Sequence, residues 1–326
     1  MQAGLEFIEW FQSIGNVVLD YFFVIVTQLG SEYFYIIVLG VIYWAIHKRF
    51  GEVLAVTLSL SLVLNNVIKA FVGAPRPFEV STAIEQKPFA SASGTAFPSG
   101  HTQGAASILF ALALRFKRVK WFVLAAALTV LVGFSRLYLG VHFIEDVLAG
   151  GLLGMGVAFS HAFLFRVFSR RPQSLLSYYS TLALVFLPGL FLFGGGIFEQ
   201  TRDFFISYGL MVGAMIAISQ EKRHVDFSVD VPVKVKFKRV LLGFLVVFAT
   251  MEVIGFLFSL FGAEDSLLLY LIVNDMDWYP IFNVKEMTWI HNLLGFVRYF
   301  LVAYMGFFIY PGLFYIMESE RNVKTS

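Results

Sequence analysis

Long apolar runs, broken by short polar connections, repeat from one end of the chain to the other. A helix needs about 20 apolar residues to cross the hydrocarbon core of a bilayer. Nine runs approach that length, near 31–47, 52–72, 99–115, 120–135, 142–167, 177–197, 204–219, 240–261 and 291–316. A membrane barrel would instead show ~10-residue segments of alternating polarity, which most of this chain lacks. The pattern predicts an all-α polytopic membrane protein.

Four stretches depart from that rhythm. Residues 17–29 are apolar, but the stretch is short and contains Asp20, so it reads as interfacial. Ahead of it Leu5, Phe7, Ile8, Trp10, Phe11 and Ile14 suit an amphipathic helix lying at the membrane surface. Glu6 and Glu9, with no basic residue beside them, do not suit a cleavable signal peptide. Between spans seven and eight, Val225, Phe227, Val229, Val231, Val233, Val235 and Phe237 alternate with mostly polar residues. That period of two predicts a β-like connector near 224–238. Finally 264–290, with Asp275, Asp277, Trp278 and Tyr279, reads as an interfacial or re-entrant piece that could cover a site.

Composition agrees with lipid as the main solvent. Of 326 residues 58% are hydrophobic and only 14% charged, with mean hydropathy +0.77; soluble proteins carry about a quarter charged residues. A net charge of +2 gives no footprint for nucleic acid. The absence of cysteine excludes a disulfide framework or a thiolate metal site. The placement of charge is more telling than its amount. Of 24 Lys and Arg, 17 fall on one set of connections: 48–49, 115–120, 166–171, 222–239 and 321–324. The positive-inside rule puts that set in the cytoplasm.

Three of the remaining seven belong to polar patches within a 78-residue stretch: Lys69 with Arg76-Pro77, Pro98-Ser99-Gly100-His101, and Ser135-Arg136 with His142 and Asp146. Span directions bring every patch to the same, extracytoplasmic, face. Ionisable groups in such a chain are costly unless paired or solvated, so their clustering marks a site. His142 and Asp146 are four apart, one turn along a helix face. A carboxylate accepting from one imidazole nitrogen fixes the tautomer and leaves the other nitrogen to act as nucleophile or base. Metal binding is the rival chemistry, weakened by three neighbouring cations; a histidine merely packed at a helix end is the plain alternative. Ser99 and Gly100 open a span, where unpaired backbone N–H groups and the helix dipole attract anions. Ser99 could equally be only a cap. His101 offers a second imidazole able to give a proton to a departing oxygen. Lys69, Arg76 and Arg136 could neutralise the oxygens of a five-coordinate phosphorus, or each could be an anchor at the interface. With side chains supplying the positive charge, no Mg²⁺ is needed.

The order and gaps of these eleven positions resemble the three-part signature of the type-2 phosphatidic acid phosphatase superfamily. The resemblance covers residues 69–146 and implies a six-helix phosphatase core over about 31–197. Residues 1–30 would be an N-terminal interfacial segment, and 198–326 would add about three transmembrane helices. It implies a metal-independent, cofactor-free hydrolase working through a phosphohistidine. His142 would attack, Asp146 orient it and His101 protonate the leaving group. Lys69, Arg76, Ser99, Gly100 and Arg136 would hold the phosphate. The expected partner is a lipid phosphate or pyrophosphate within the bilayer, such as a polyprenyl pyrophosphate, in the plasma (bacterial inner) membrane. Transfer to a lipid or sugar acceptor, hydrolysis of a sugar phosphate as in glucose-6-phosphatase-like members, and lipid transport without catalysis are the alternatives. The C-terminal spans could serve transport, homo-oligomerisation or substrate selection.

In span five, Gly150 and Gly154 form a small-xxx-small spacing that reads as close helix packing behind the site. Glu252 and Arg298, within or near the later spans, are unexplained polar groups, either paired or lining a cavity.

Overall fold

The computed structural model describes residues 2–88, 90, 92, 94–194, 201–260 and 288–314. Its helices are α1 (Gln2–Ser13), α2 (Val17–Thr27) with a 3-10 turn (Gln28–Gly30), and α3 (Glu32–Val41), continued by a π-helical turn (Ile42–Ile46). Then come α4 (Lys48–Val72), α5 (Pro77–Val80), α6 (Gly100–Phe116), α7 (Val119–Tyr138), α8 (Ile144–Phe168), α9 (Pro172–Phe186) and α10 (Pro188–Gly194). The chain continues with α11 (Thr201–His224), α12 (Val233–Ser259) and α13 (Thr288–Tyr304), the last followed by a second π-helical turn (Met305–Ile309). Among the described residues there is no strand, so the all-α expectation holds. Among the described residues seven helical stretches are long and apolar enough to cross a membrane. Of the nine expected spans, α6 has 17 residues and the helix 32–46 is also short of that length. The segment 261–287, where a covering piece was expected, lies outside the described residues.

The chain divides into two compact units. One takes in Met1–Ile36 and Thr57–Arg171; the other takes in Ile37–Val56, Pro172–Ile197 and Thr201–Ser326.

In the first unit α6 is the central helix, packed against α8 and α7. A Cβ on Gly150 would stand 2.6 Å from the Ser99 carbonyl oxygen, and one on Gly154 would press into the Gln103 carbonyl and the Ala106 methyl. The small-xxx-small spacing therefore brings two backbones together. Where lipid removes the hydrophobic drive between helices, such close packing supplies the attraction. The α4–α6 seam is polar instead. Thr57, Ser61, Asn65 and Lys69 recur every fourth residue along α4. Asn65 Nδ2 donates to Gln103 Oε1 at 2.8 Å, Gln103 Nε2 to the Ser61 carbonyl at 2.8 Å, and Ser107 Oγ to Ser61 Oγ at 2.7 Å. Lower on the same face Thr57 Oγ1 and His161 Nδ1 are 2.7 Å apart.

The N-terminal segment folds onto this unit. Asn16 caps α2, accepting from Val18 and Leu19 N–H at 3.0 Å, and α1 and α2 bend by 120°. Ile8 of α1 is buried with Ile84 and Phe143, and Phe11 packs against Phe23 and Tyr138. Asp20 accepts from Tyr138 Oη at 2.6 Å. Part of α1's apolar stripe thus faces protein, while Trp10 and Ile14 remain exposed.

In the second unit α11 and α13 run together, with Gly213 letting the Phe300 carbonyl approach to within 2.6 Å of where a Cβ would sit. Trp44 Nε1 and Tyr43 Oη, in one π turn, donate to the Gly306 and Phe307 carbonyls of the other, each at 3.0 Å. Arg298 Nη2 donates to the Met251 carbonyl at 3.0 Å.

The β-like connector near 224–238 is not found. Residues 225–232 form an irregular link, and Val233, Val235 and Phe237 lie on the first turns of α12. Two physical causes override the alternation. Pro232 stands at the N-cap, pre-set for a helix start, and the apolar run beyond 240 extends the helix backwards. Val233 and Phe237 remain exposed, at 80% and 68%. Phe227 is instead buried with Tyr43 and Phe314, its N–H donating to Glu221 Oε1 at 3.0 Å.

Gly154→Leu should lower the melting temperature in detergent and cost about 1–3 kcal/mol through overpacking. Gly156→Ala, where nothing lies within 4 Å of the new methyl, should leave it unchanged. Equal melting of both variants would contradict the close α6–α8 packing.

Candidate active site

The site is built at one end of the first unit, where α4 ends, α6 begins, α7 ends and α8 begins. The turn 139–143 between α7 and α8 is the tightest local feature. Gly140 takes φ +74°, and a Cβ there would press on the Glu85 carbonyl, so glycine is required on two counts. Val141 N–H returns to the Arg136 carbonyl at 3.2 Å. The turn delivers His142 just ahead of α8, almost fully buried.

Asp146 sits three residues into α8. Its Oδ2 accepts the Phe143 N–H at 2.8 Å, capping the helix, and faces His142 Nδ1 at 3.4 Å. The cap fixes the carboxylate, and the carboxylate in turn favours the tautomer with the proton on Nδ1. Nε2 then carries the lone pair.

The three cations are each held by neutral oxygens. Arg76, the N-cap of α5, donates through Nε to the Gly94 carbonyl at 2.6 Å, through Nη1 to the Val141 carbonyl at 2.8 Å, and through Nη2 to the Thr95 carbonyl at 3.4 Å. Lys69, in the last turn of α4, donates Nζ to the same Thr95 carbonyl. Arg136, in the last turn of α7, donates Nη1 to Thr27 Oγ1 at 2.8 Å. A neutral acceptor orients a cation without cancelling its charge, which suits binding of an anion. Arg76 also ties the 94–95 loop to the residue before His142. Its role is as much architectural as electrostatic.

Ser99 caps α6. Its Oγ accepts from Thr102 N–H at 3.5 Å and lies 3.0 Å from Thr102 Oγ1, while its own N–H donates to the Asp146 carbonyl at 3.0 Å. The α6 and α8 N-termini are therefore joined through Ser99 and Asp146. Gly100 and His101 form the first turn of α6. Beneath them Asn65 Nδ2 donates to the Pro98 carbonyl at 3.3 Å. Ser135 Oγ donates to the Val132 carbonyl at 2.6 Å, on its own helix.

All eight predicted site residues thus come from one unit and one end of it. Lys69, Arg76 and Arg136 act through space on both His101 and His142, and His101 acts on His142. Burial first, and these cations second, hold the His142 imidazole well below the ordinary histidine range. Its neutral form is thereby favoured, as a nucleophilic role would require. Among the described residues no three His, Asp or Glu side chains are placed to hold a metal ion. A cavity of about 220 Å³ opens beside the carboxylates Glu145 and Asp146, walled by Val72, Ala74, Pro75, Val80, Phe97 and Phe143.

Sequence reasoning missed Asn65 and Thr27. The four-residue polar spacing along α4 was a signal for Asn65; nothing local marked Thr27, 109 residues from Arg136.

Clustered cations, two imidazoles and a carboxylate-oriented His142 make a candidate site with the chemistry to hold a tetrahedral oxyanion. Comparison with known proteins supplies the family. The PAP2 superfamily pattern matches residues 51–173, which contain all of these positions. Undecaprenyl-diphosphatase BcrC of Bacillus subtilis is 34% identical over 156 residues, 47% of this chain and 77% of that protein. Phosphatidylglycerophosphatase B of B. subtilis is 31% identical over 143 residues, 40% of this chain and 67% of that protein. The crystal structure of a transmembrane PAP2-type phosphatidylglycerolphosphate phosphatase from B. subtilis aligns with a TM-score of 0.44 at 27% identity, covering 52% of this chain and 88% of that one. The chain belongs to the PAP2 superfamily. It is a multi-pass membrane phosphatase, a hydrolase of phosphate monoesters or pyrophosphates.

Arg76→Lys keeps the charge but not the fork that reaches three carbonyls. It should lower kcat/KM by about 10²-fold and the melting temperature as well. Wild-type values of both would contradict the architectural role of Arg76.

Proposed function

We propose that this chain hydrolyses a lipid phosphate or lipid pyrophosphate at the extracytoplasmic face of the plasma (bacterial inner) membrane, through a phosphohistidine and without a metal ion. The observation that carries the reading is the His142–Asp146 pair, with Asp146 pinned by the Phe143 N–H.

In the first half-reaction His142 Nε2 attacks phosphorus in line with the leaving oxygen. The P–N bond forms as the P–O bond breaks, and Asp146 stabilises the charge growing on the imidazole. Lys69, Arg76 and Arg136 face the equatorial oxygens, with the N-terminus of α6 at Gly100 assisting. Such electrostatic stabilisation is the main protein contribution to phosphoryl transfer. His101 gives its proton to the departing oxygen. In the second half-reaction it takes a proton from water, whose oxygen bonds to phosphorus as the P–Nε2 bond breaks, freeing His142 and releasing inorganic phosphate.

Three observations favour a lipid. The two B. subtilis relatives are named for lipid substrates, an undecaprenyl diphosphate and a phosphatidylglycerophosphate. The cavity beside Asp146 is walled mainly by apolar side chains. The site also lies at the ends of membrane-length helices, where a headgroup can enter while its chain stays in the bilayer. The sidedness rests on the 17 basic residues gathered on the opposite connections. The phosphatase core would be the first six spans, about 31–197.

The purified protein should release phosphate from such lipids in EDTA, and His142→Ala should reduce release by about 10³-fold or more. Retained release in that variant would sink the nucleophile assignment, and loss in EDTA would sink metal independence. Because His142 must be neutral to attack, the acid limb of kcat should lie well below pH 6.5. Lys69→Gln, removing one cation that lowers its pKa, should move that acid limb to higher pH. An unmoved limb would argue that another group controls the rate.

A further inference from the structure

We propose that Thr27 is a positioning residue of the phosphate site, supplied by the N-terminal segment that precedes the family-matched stretch. The inference rests on the reading of Arg136 as a phosphate-binding group. Thr27 ends α2 and is 1% exposed, as is Arg136, and the two meet through Arg136 Nη1 and Thr27 Oγ1 at 2.8 Å. The family match begins at residue 51, so this contact comes from outside it.

The segment around Thr27 is seated on the site by independent contacts. Val26 and Leu29, on either side, pack against Ala105 of α6 and Val132 of α7. At Gly30 a Cβ would stand 2.7 Å from the His101 carbonyl oxygen and 2.8 Å from the His101 Cβ, so this turn lies directly against the second imidazole's backbone. Tyr35, just beyond, directs its hydroxyl to the His101 carbonyl at 3.5 Å. Residues 27–35 thus touch both the fork of Arg136 and the backbone of His101.

A guanidinium binds an oxyanion well only when its plane is set, because its donors leave in fixed directions. Arg136 ends a helix, and its side chain has several rotatable bonds. Anchoring one Nη1 on a short hydroxyl, itself fixed by the α2 backbone, sets that plane before any ligand arrives. Valine keeps the shape of threonine and removes the oxygen. Serine keeps the oxygen.

The test compares orthovanadate affinity, read as thermal stabilisation of the full-length protein in detergent, for wild type, Thr27→Val and Thr27→Ser. The valine variant should bind about ten-fold more weakly or worse, the range for a lost hydrogen bond to a charged group. The serine variant should stay within about three-fold of wild type. In an Arg136→Lys background, Thr27→Val should cost nothing further. Wild-type affinity in the valine variant, or the same loss in the lysine background, would overturn the proposal. If the valine variant does not fold, Thr27→Ala carries the same comparison. A wild type that neither binds vanadate nor releases phosphate would overturn the functional reading itself. A wild type that does both, with an unaffected valine variant, would overturn only the role of Thr27.

Discussion

Cations that are kept out of water must be held by something, and around this site each of them donates to neutral oxygens. Arg76 takes the carbonyls of Gly94, Thr95 and Val141, Lys69 shares that of Thr95, and Arg136 takes the hydroxyl of Thr27. Leaving a buried charge without such partners would cost several kcal/mol. This one requirement dictates the local chain path. The irregular stretch before α6 must bring its carbonyls to α4 and α5, and the turn after α7 must bring Val141 to Arg76. His142 comes to the site as the next residue in that turn.

The same geometry links packing to chemistry. The α6 N-terminus is joined to α8 by the Ser99 N–H on the Asp146 carbonyl, and Gly150 keeps the two backbones close enough for that bond. Asp146 serves twice, as the cap of α8 and as the partner of His142. The bond that sets the helix start therefore also sets the imidazole. The positive neighbours that would suit a phosphate also favour the neutral form of His142, the form the proposed attack requires. In the proposed mechanism, binding and activation of the nucleophile come from one charge distribution.

Much of this was legible in the amino-acid sequence, because membrane helices are dictated by long apolar runs and the site residues are charged exceptions to them. The α7 and α8 boundaries fall within a few residues of the expected spans. Gly150 and Gly154 behave as their spacing implied. Of the two later polar groups, Arg298 is held by the Met251 carbonyl, an acceptor no spacing rule would name. Long-range contacts were the least legible. Thr27 is an ordinary threonine until the fold brings Arg136 to it. The carbonyls of Gly94 and Thr95 carry no side-chain signature at all. The connector near 224–238 misled for a different reason. Its alternation is real, but a proline cap and an adjoining apolar helix outweigh a two-residue period that finds no strand to pair with among the described residues.

The central claim is that phosphate passes through His142, and it can be tested by catching the phosphate there. The full-length protein would be mixed with a lipid pyrophosphate carrying labelled terminal phosphate, in EDTA. It would then be quenched in alkali, in which phosphohistidine survives, and digested for mass mapping. The account predicts the label on the peptide carrying His142, at the imidazole, and none in His142→Ala. Label on a different residue, or full turnover by His142→Ala, would contradict it.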